Sequence, residues 1–177
     1  MAVLPIIKVP DPVLSEKTRK ISDFGEETHK IIRNLKDTLD VASDPEGAGI
    51  SANQVGISKS ICVVRNFLPI QEGEATQEGD EESIFDELVL INPKIVSLAD
   101  ETDIDWEGCL SVPNVYGKVP RSIKIKFKYK DENGAPKRLV AKGFFARIIQ
   151  HEIDHLNGIL FTQKVVGKTV PGEYFSK

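Results

Sequence analysis

The chain has 177 residues, of which 40 % are hydrophobic; domains run to about 100–200 residues, so one core is expected to serve the whole of 1–177. That apolar share excludes a disordered or collagen-like chain, and a net charge of −4 argues against a DNA-binding module, which needs clustered Lys and Arg to neutralise phosphates. Two cysteines, Cys62 and Cys109, are too few for a disulfide scaffold. The N-terminus MAVLPIIKVPDP lacks the positive start of a secretory signal, and no run approaches the 18 or more apolar residues of a membrane span. A cytoplasmic protein with no membrane contact is expected.

In chain order, residues 1–25 carry Pro5, Pro10 and Pro12 and read as an irregular lead-in that wraps the surface. From Glu26 to about Ala42, the spacing of Ile31, Ile32, Leu35, Leu39 and Ala42 predicts an amphipathic helix with one face packed on a sheet. The segment GAGISANQVG, 47–56, reads as a loop of small residues. Ile61 to Val64 reads as a buried strand. Residues 71–87 hold eight acids and no Lys or Arg, the composition of a flexible acidic insertion. Leu88 to Val96 resumes as a strand broken near Pro93.

The strictest pattern lies at 123–129, where Ile123, Ile125, Phe127 and Tyr129 alternate with Lys124, Lys126, Lys128 and Lys130. Asn133-Gly134 should turn this strand tightly into a partner at about 137–142. The lysine face reads as a solvated face that discourages edge aggregation, with contact to ribosomal RNA as the functional alternative. After Gly143, the run FFARIIQHEIDHLNG predicts a buried helix stopped by Gly158. The fold class expected is α+β, with antiparallel sheets around that helix and the N-terminal amphipathic helix outside.

The buried helix carries His151, Glu152 and His155. Residues four apart share a helix face, so both imidazoles can reach one metal ion, with Glu152 one step round as a base. A catalytic metal commonly takes three protein ligands. Beyond His155 the single acid is Glu173, after Pro171-Gly172, so the third ligand should come from upstream. Cys109, in WEGCLS, offers a sulfur suited to borderline metals; its alternative reading is a small buried hydrophobe. Cys62 reads as a core filler, and His29 as a lone polar-face histidine.

Three segments now stand in order: GAGISANQ at 47–54, EGCLS at 107–111 and QHEIDH at 150–155. With them the chain resembles the peptide deformylase family over essentially its whole length. The resemblance implies a metal-dependent hydrolase that removes the N-terminal formyl group from formylmethionine of newly synthesised polypeptides and releases formate. It implies Cys109, His151 and His155 as ligands of one divalent metal, Fe(II) in the cell, with Ni, Co or Zn able to take its place.

By the same resemblance Glu152 is the general base, and the Gln54 amide and the Leu110 N–H are donors to the substrate carbonyl oxygen. Ala48, Gly49 and Gly108 edge the peptide cleft, Ile148 belongs to the first side-chain pocket, and Tyr116 stands where some members place a substrate-contacting Arg. The partners implied are N-formylmethionyl nascent peptides and, transiently, the ribosome, in a bacterial-type cytoplasm or an organelle. Two other classes share parts of the pattern: a zinc endopeptidase, which also uses HExxH, and a closed Cys-His-His structural metal site.

Overall fold

The computed structural model describes residues 2–42, 47–65 and 87–176. The first helix, α1 (Glu26–Val41), begins where the Asp23 carboxylate accepts from the Gly25 N–H and the Thr28 hydroxyl donates to the Asp23 carbonyl. Glu26 and Glu27 in its first turn suit the positive end of the helix dipole. Then follow β1 (Gly49–Ser51), β2 (Ile61–Arg65), β3 (Glu87–Leu98), β4 (Thr102–Cys109), β5 (Val112–Ser122), β6 (Lys124–Lys130), β7 (Pro136–Lys142) and α2 (Gly143–Leu156). All strand pairings are antiparallel, giving one five-stranded sheet of order β1-β2-β3-β6-β7 and a separate β4–β5 hairpin.

The two helices lie on opposite faces of the five-stranded sheet, and β2 explains why its sequence is apolar without interruption. Ile61 and Val63 point toward α1 and join Ile32, Leu35 and Leu39, while Cys62 and Val64 point toward α2 and join Ile149 and Ile153. A strand buried on both faces shows no alternation. A third cluster, Leu14, Cys109, Val112, Val119, Leu160 and Phe161, fills the space under the β4–β5 hairpin. The lead-in is tied down over the same region, Ile7 N–H donating to the Gln54 carbonyl at 2.7 Å and Val9 N–H to the Ser111 carbonyl at 3.0 Å.

Several sequence expectations change. Segment 47–56 is not a plain loop: Gly49–Ser51 adds an edge strand to the sheet, and Ala52–Val55 forms a 3-10 turn in which Ser51 and Gln54 cap each other. The strand around Pro93 runs on to Leu98, bending where Asn92 takes φ 51° and its side chain exchanges two hydrogen bonds with the Ile21 backbone. The connection after β6 is a five-residue loop, not a two-residue turn, since Lys130 pairs with Pro136 and the Asp131 carboxylate accepts from the N–H groups of Asn133 and Ala135. Only Gly134 in that loop has positive φ.

The lysine-bearing β6 is an interior strand between β3 and β7, so edge protection does not account for its lysines. The β4–β5 hairpin had no clear period in the sequence. The expected acidic insertion, Glu87 apart, lies outside the described residues. No described helix is long and apolar enough to cross a membrane.

Candidate active site

The last turns of α2 carry His151, Glu152 and His155, and the end of β4 brings Cys109 against them. Cys109 Sγ lies 3.2 Å from His155 Nε2, and His155 Nε2 lies 3.2 Å from His151 Nε2. All three donor atoms fall within 4.8 Å of one another. Cys109 and His155 are buried, and the cluster opens toward solvent through His151.

The donor set fits a metal ion. Two imidazole nitrogens at this distance can satisfy each other only if one carries a proton, and Nδ1 of His155 has no hydrogen-bond partner among the described residues. One cation accepted by sulfur and both nitrogens relieves that conflict, and this mixed soft and borderline set suits iron, cobalt, nickel or zinc. Burial opposes charge on His151, but the Cys109 sulfur and the Glu107 carboxylate outweigh it and push its pKa up to about 10. Burial and then the charge on His151 drive His155 well below the ordinary value.

Glu107 holds His151 from behind, Oε2 lying 3.0 Å from Nδ1. Its carboxylate also accepts from Arg121 at 2.8 and 2.9 Å and from Arg147 at 2.8 Å. Burial alone would raise the Glu107 pKa, yet hydrogen bonds and charge from Arg121 and His151 hold it well below the usual carboxylate range. Arg121 in turn donates to Asp154 at 2.5 Å, which also pairs with Lys164. The outer nitrogen of His151 is thereby fixed as a donor, which orients the ring toward Cys109 and His155.

On the opposite wall, Ser51 connects three groups. Its N–H donates to Gln54 Oε1 at 2.8 Å, its hydroxyl accepts from the Gln54 N–H, and the same hydroxyl donates to Glu152 Oε2 at 2.5 Å. With Oε1 so occupied, the Gln54 amide must turn its NH2 toward Ser111 Oγ at 3.2 Å and Cys109 Sγ at 3.6 Å. Burial lifts the Glu152 pKa, and the His151 charge and the Ser51 hydrogen bond offset that rise only in part. A carboxyl poised to hold a proton beside a metal-type cluster is suited to proton transfer.

A cleft of about 170 Å³ opens over this cluster, lined among others by Ala48, Gly49, Trp106, Gly108, Leu110 and Ile148. A family model described as polypeptide deformylase matches residues 3–170. The peptide deformylase of Halothermothrix orenii is 43 % identical over 166 residues, covering 94 % of this chain and 96 % of that one. That of Prochlorococcus marinus strain AS9601 is 39 % identical over 93 % of this chain and 75 % of its own length.

The chain belongs to the polypeptide deformylase family.

Solved structures agree with this deformylase assignment. The peptide deformylase of Synechococcus elongatus in complex with actinonin aligns with TM-score 0.79 and 40 % identity over 93 % of this chain and 80 % of that one. The class I type b enzyme of Acinetobacter baumannii, bound to Met-ala-ser, aligns with TM-score 0.77 and 32 % identity over 92 % of this chain and 99 % of that one.

Of the residues singled out in the sequence, Cys109, His151 and His155 come together, with Glu152, Gln54, Ala48, Gly49, Gly108, Leu110 and Ile148 around the same cleft. Tyr116 does not line it. Its ring lies behind Gly108, where an added Cβ would come within 2.6 Å of Tyr116 Cε1, and packs edge-on against Phe175 at 5.3 Å between centroids. Cys62 is sealed in the core, and burial pushes its thiol pKa up. Sequence reasoning missed Ser51, which bonds Glu152 across 101 positions, and the Glu107–Arg121–Arg147 network. A Glu two residues from a metal-type Cys was the available signal for Glu107; nothing local marks Ser51.

Proposed function

We infer that this chain is a metal-dependent hydrolase that removes the formyl group from the N-terminal formylmethionine of newly synthesised polypeptides, releasing formate. The observation that carries the reading is the convergence of one Sγ and two imidazole Nε2 atoms beside a buried carboxyl and an open cleft, in a chain of the deformylase family. The whole of 1–177 acts as one catalytic domain, with antiparallel sheets around the central HExxH helix, the N-terminal helix outside and the acidic stretch 71–87 as an insertion. Cys109, His151 and His155 hold the metal, Fe(II) in the cell and Ni, Co or Zn as substitutes. When bound, that ion supplies Lewis acidity, polarising a carbonyl oxygen and lowering the pKa of water toward neutrality.

The chain's own residues do the rest. Glu152 accepts the proton of the attacking water and delivers it to the leaving amine nitrogen, which becomes the new N-terminus. Ser51 holds Oε2 of that carboxyl, and the other oxygen lies beside Gly49 in the cleft wall. The Gln54 NH2 and the Leu110 N–H stabilise the negative charge that develops on the formyl oxygen; removing one such donor typically costs about 2.7–4 kcal/mol. The peptide lies extended along the backbone of Ala48, Gly49 and Gly108, with the methionine side chain against Ile148. Tyr116 supports that edge by packing behind Gly108. The setting proposed is a bacterial-type cytoplasm, where the nascent chain is met in transient contact with the ribosome.

The test is formate release from formyl-Met-Ala-Ser by the Fe(II)-loaded protein, set beside a casein digest. General acid–base catalysis contributes about 10²–10⁴-fold, so Glu152→Gln should lose at least a hundredfold in kcat. Unchanged turnover in that variant overturns the role of Glu152, and casein cleavage without formate release favours an endopeptidase.

A further inference from the structure

We propose that the part of the five-stranded sheet's α1-side face that carries Lys94, Lys124, Lys126, Lys128 and Arg138 docks the phosphate backbone of structured RNA. The sheet's two faces are unequally covered. On the side of α1, the helix shields β1 and β2 and the start of β3 through Ile50, Ile61, Val63, Val89 and Ile91. The same face continues onto β6 and β7 with no described helix above it, and all five cationic residues are exposed there.

Their register is the unusual feature. Lys94 stands directly opposite Lys128, and Lys128 directly opposite Arg138, a row of three cations across three adjacent strands. On the same face Lys126 stands opposite Val140, and beyond it Lys124 stands opposite Lys142. Like charges directly opposite one another weaken a sheet. A solvent-facing surface needs only polar residues, and alternating Lys with Glu would have been stabilising. The chain has an excess of acids, 27 against 23 bases, yet β6 and β7 contain none. Among the described residues, none of the five makes an ion pair. Because β6 is interior, protection of a sheet edge does not explain its lysines either.

A cationic surface whose five charges have no ion-pair partner among the described residues complements a polyanion. The β6 aromatics, Phe127 and Tyr129, face the core, and Phe24, the ring beside this surface, is partly buried and covered by Lys130, so the five cations are not interleaved with exposed rings on which successive single-stranded bases could stack. Backbone contact to a folded, double-stranded RNA is the mode that remains. The choice of RNA over DNA rests on the function proposed above, whose substrates are nascent chains. The catalytic cluster lies on the α2 side of the sheet, so a docked RNA leaves the cleft open.

The experiment measures anisotropy of a labelled RNA hairpin with a 20-base-pair stem, titrated with the whole chain and with Lys126→Gln/Lys128→Gln at several salt concentrations. Affinity should fall with salt, with a slope of about −0.9 per phosphate neutralised. The double variant should bind about tenfold more weakly, with a slope shallower by about 2. Its kcat/KM for formyl-Met-Ala-Ser should stay within twofold of wild type, which also reports that it folds. Equal affinity and slope in the two proteins overturn the proposal, as does tighter binding to a DNA duplex of the same length or to phosphatidylglycerol vesicles. Absence of RNA binding in the whole chain also overturns it. Failure of the peptide assay in both proteins would count against the catalytic reading alone, since the RNA titration does not depend on turnover.

Discussion

A single methyl group at position 49 should decide whether Glu152 keeps its place. A Cβ added to Gly49 would lie 2.7 Å from Glu152 Oε1 and 2.9 Å from its Cγ, closer than real side chains approach. Glu152 is buried and held by Ser51, so its carboxyl can yield only by giving up that hydrogen bond. Gly49 sits in an edge strand at ordinary φ, so alanine there strains no backbone. Gly49→Ala is therefore expected to lose at least tenfold in kcat/KM, about 1.4 kcal/mol of transition-state stabilisation, while its thermal midpoint stays within a few degrees of wild type. Formate release and thermal unfolding measured on one preparation check both halves. At this scale the i, i+4 spacing of His151 and His155 makes their proximity readable from sequence. The hydroxyl of Ser51 is not readable in that way, because its partner is set by tertiary packing and not by spacing.

At the scale of elements, Glu107 of β4 ties together Arg121 of β5 and Arg147 and His151 of α2. Removing the acid leaves two guanidinium groups buried without their main partner, and breaking a buried pair in this way costs about 3–5 kcal/mol. Glu107→Leu should lower the thermal midpoint by about 10 °C, since 1 kcal/mol shifts a chain of this size by about 2–4 °C. Glu26→Ala, which breaks an exposed pair with Arg33, should leave the midpoint within error. A smaller change would show that water reaches the network.

Strand β6 supplies a pH prediction. Burial, and then Asp131, raise the Tyr129 phenol above the ordinary tyrosine value of about 10. The neutral form is favoured in the folded state, so its stabilising contribution is complete below pH 10 and is lost as pH rises toward the folded-state value. Melting curves of wild type and Tyr129→Phe should therefore run parallel below pH 10, and above it wild type should fall faster. Curves that stay parallel to pH 11 would contradict the burial argument. The β6 alternation was legible because one face is core and the other solvent. The β4–β5 hairpin was not, because much of β4 is solvent-exposed and Pro113, Gly117 and Pro120 interrupt the pattern of β5.

At the scale of the molecule, strand order β1-β2-β3-β6-β7 is not written in any local pattern: it depends on the chain leaving the sheet after β3 for the hairpin and returning at β6. That excursion brings Cys109 to α2, 46 positions from His155, so the donor cluster exists only in the folded chain. A cation bound there must therefore stabilise the fold by mass action, by about 4.1 kcal/mol at a thousandfold excess over its dissociation constant. For 177 residues this corresponds to a rise of about 8–16 °C in the midpoint. Stripping the protein with a chelator under anaerobic conditions should lower the midpoint by that amount, and returning Fe(II), Ni(II) or Zn(II) should restore it. His155→Ala removes one of the three proposed ligands, so its midpoint should be nearly indifferent to chelator. This difference between the two proteins separates loss of a bound ion from any general effect of the reagent on the chain. A wild-type midpoint that ignores chelation and metal alike would mean that the sulfur and the two rings meet for packing and not for a cation.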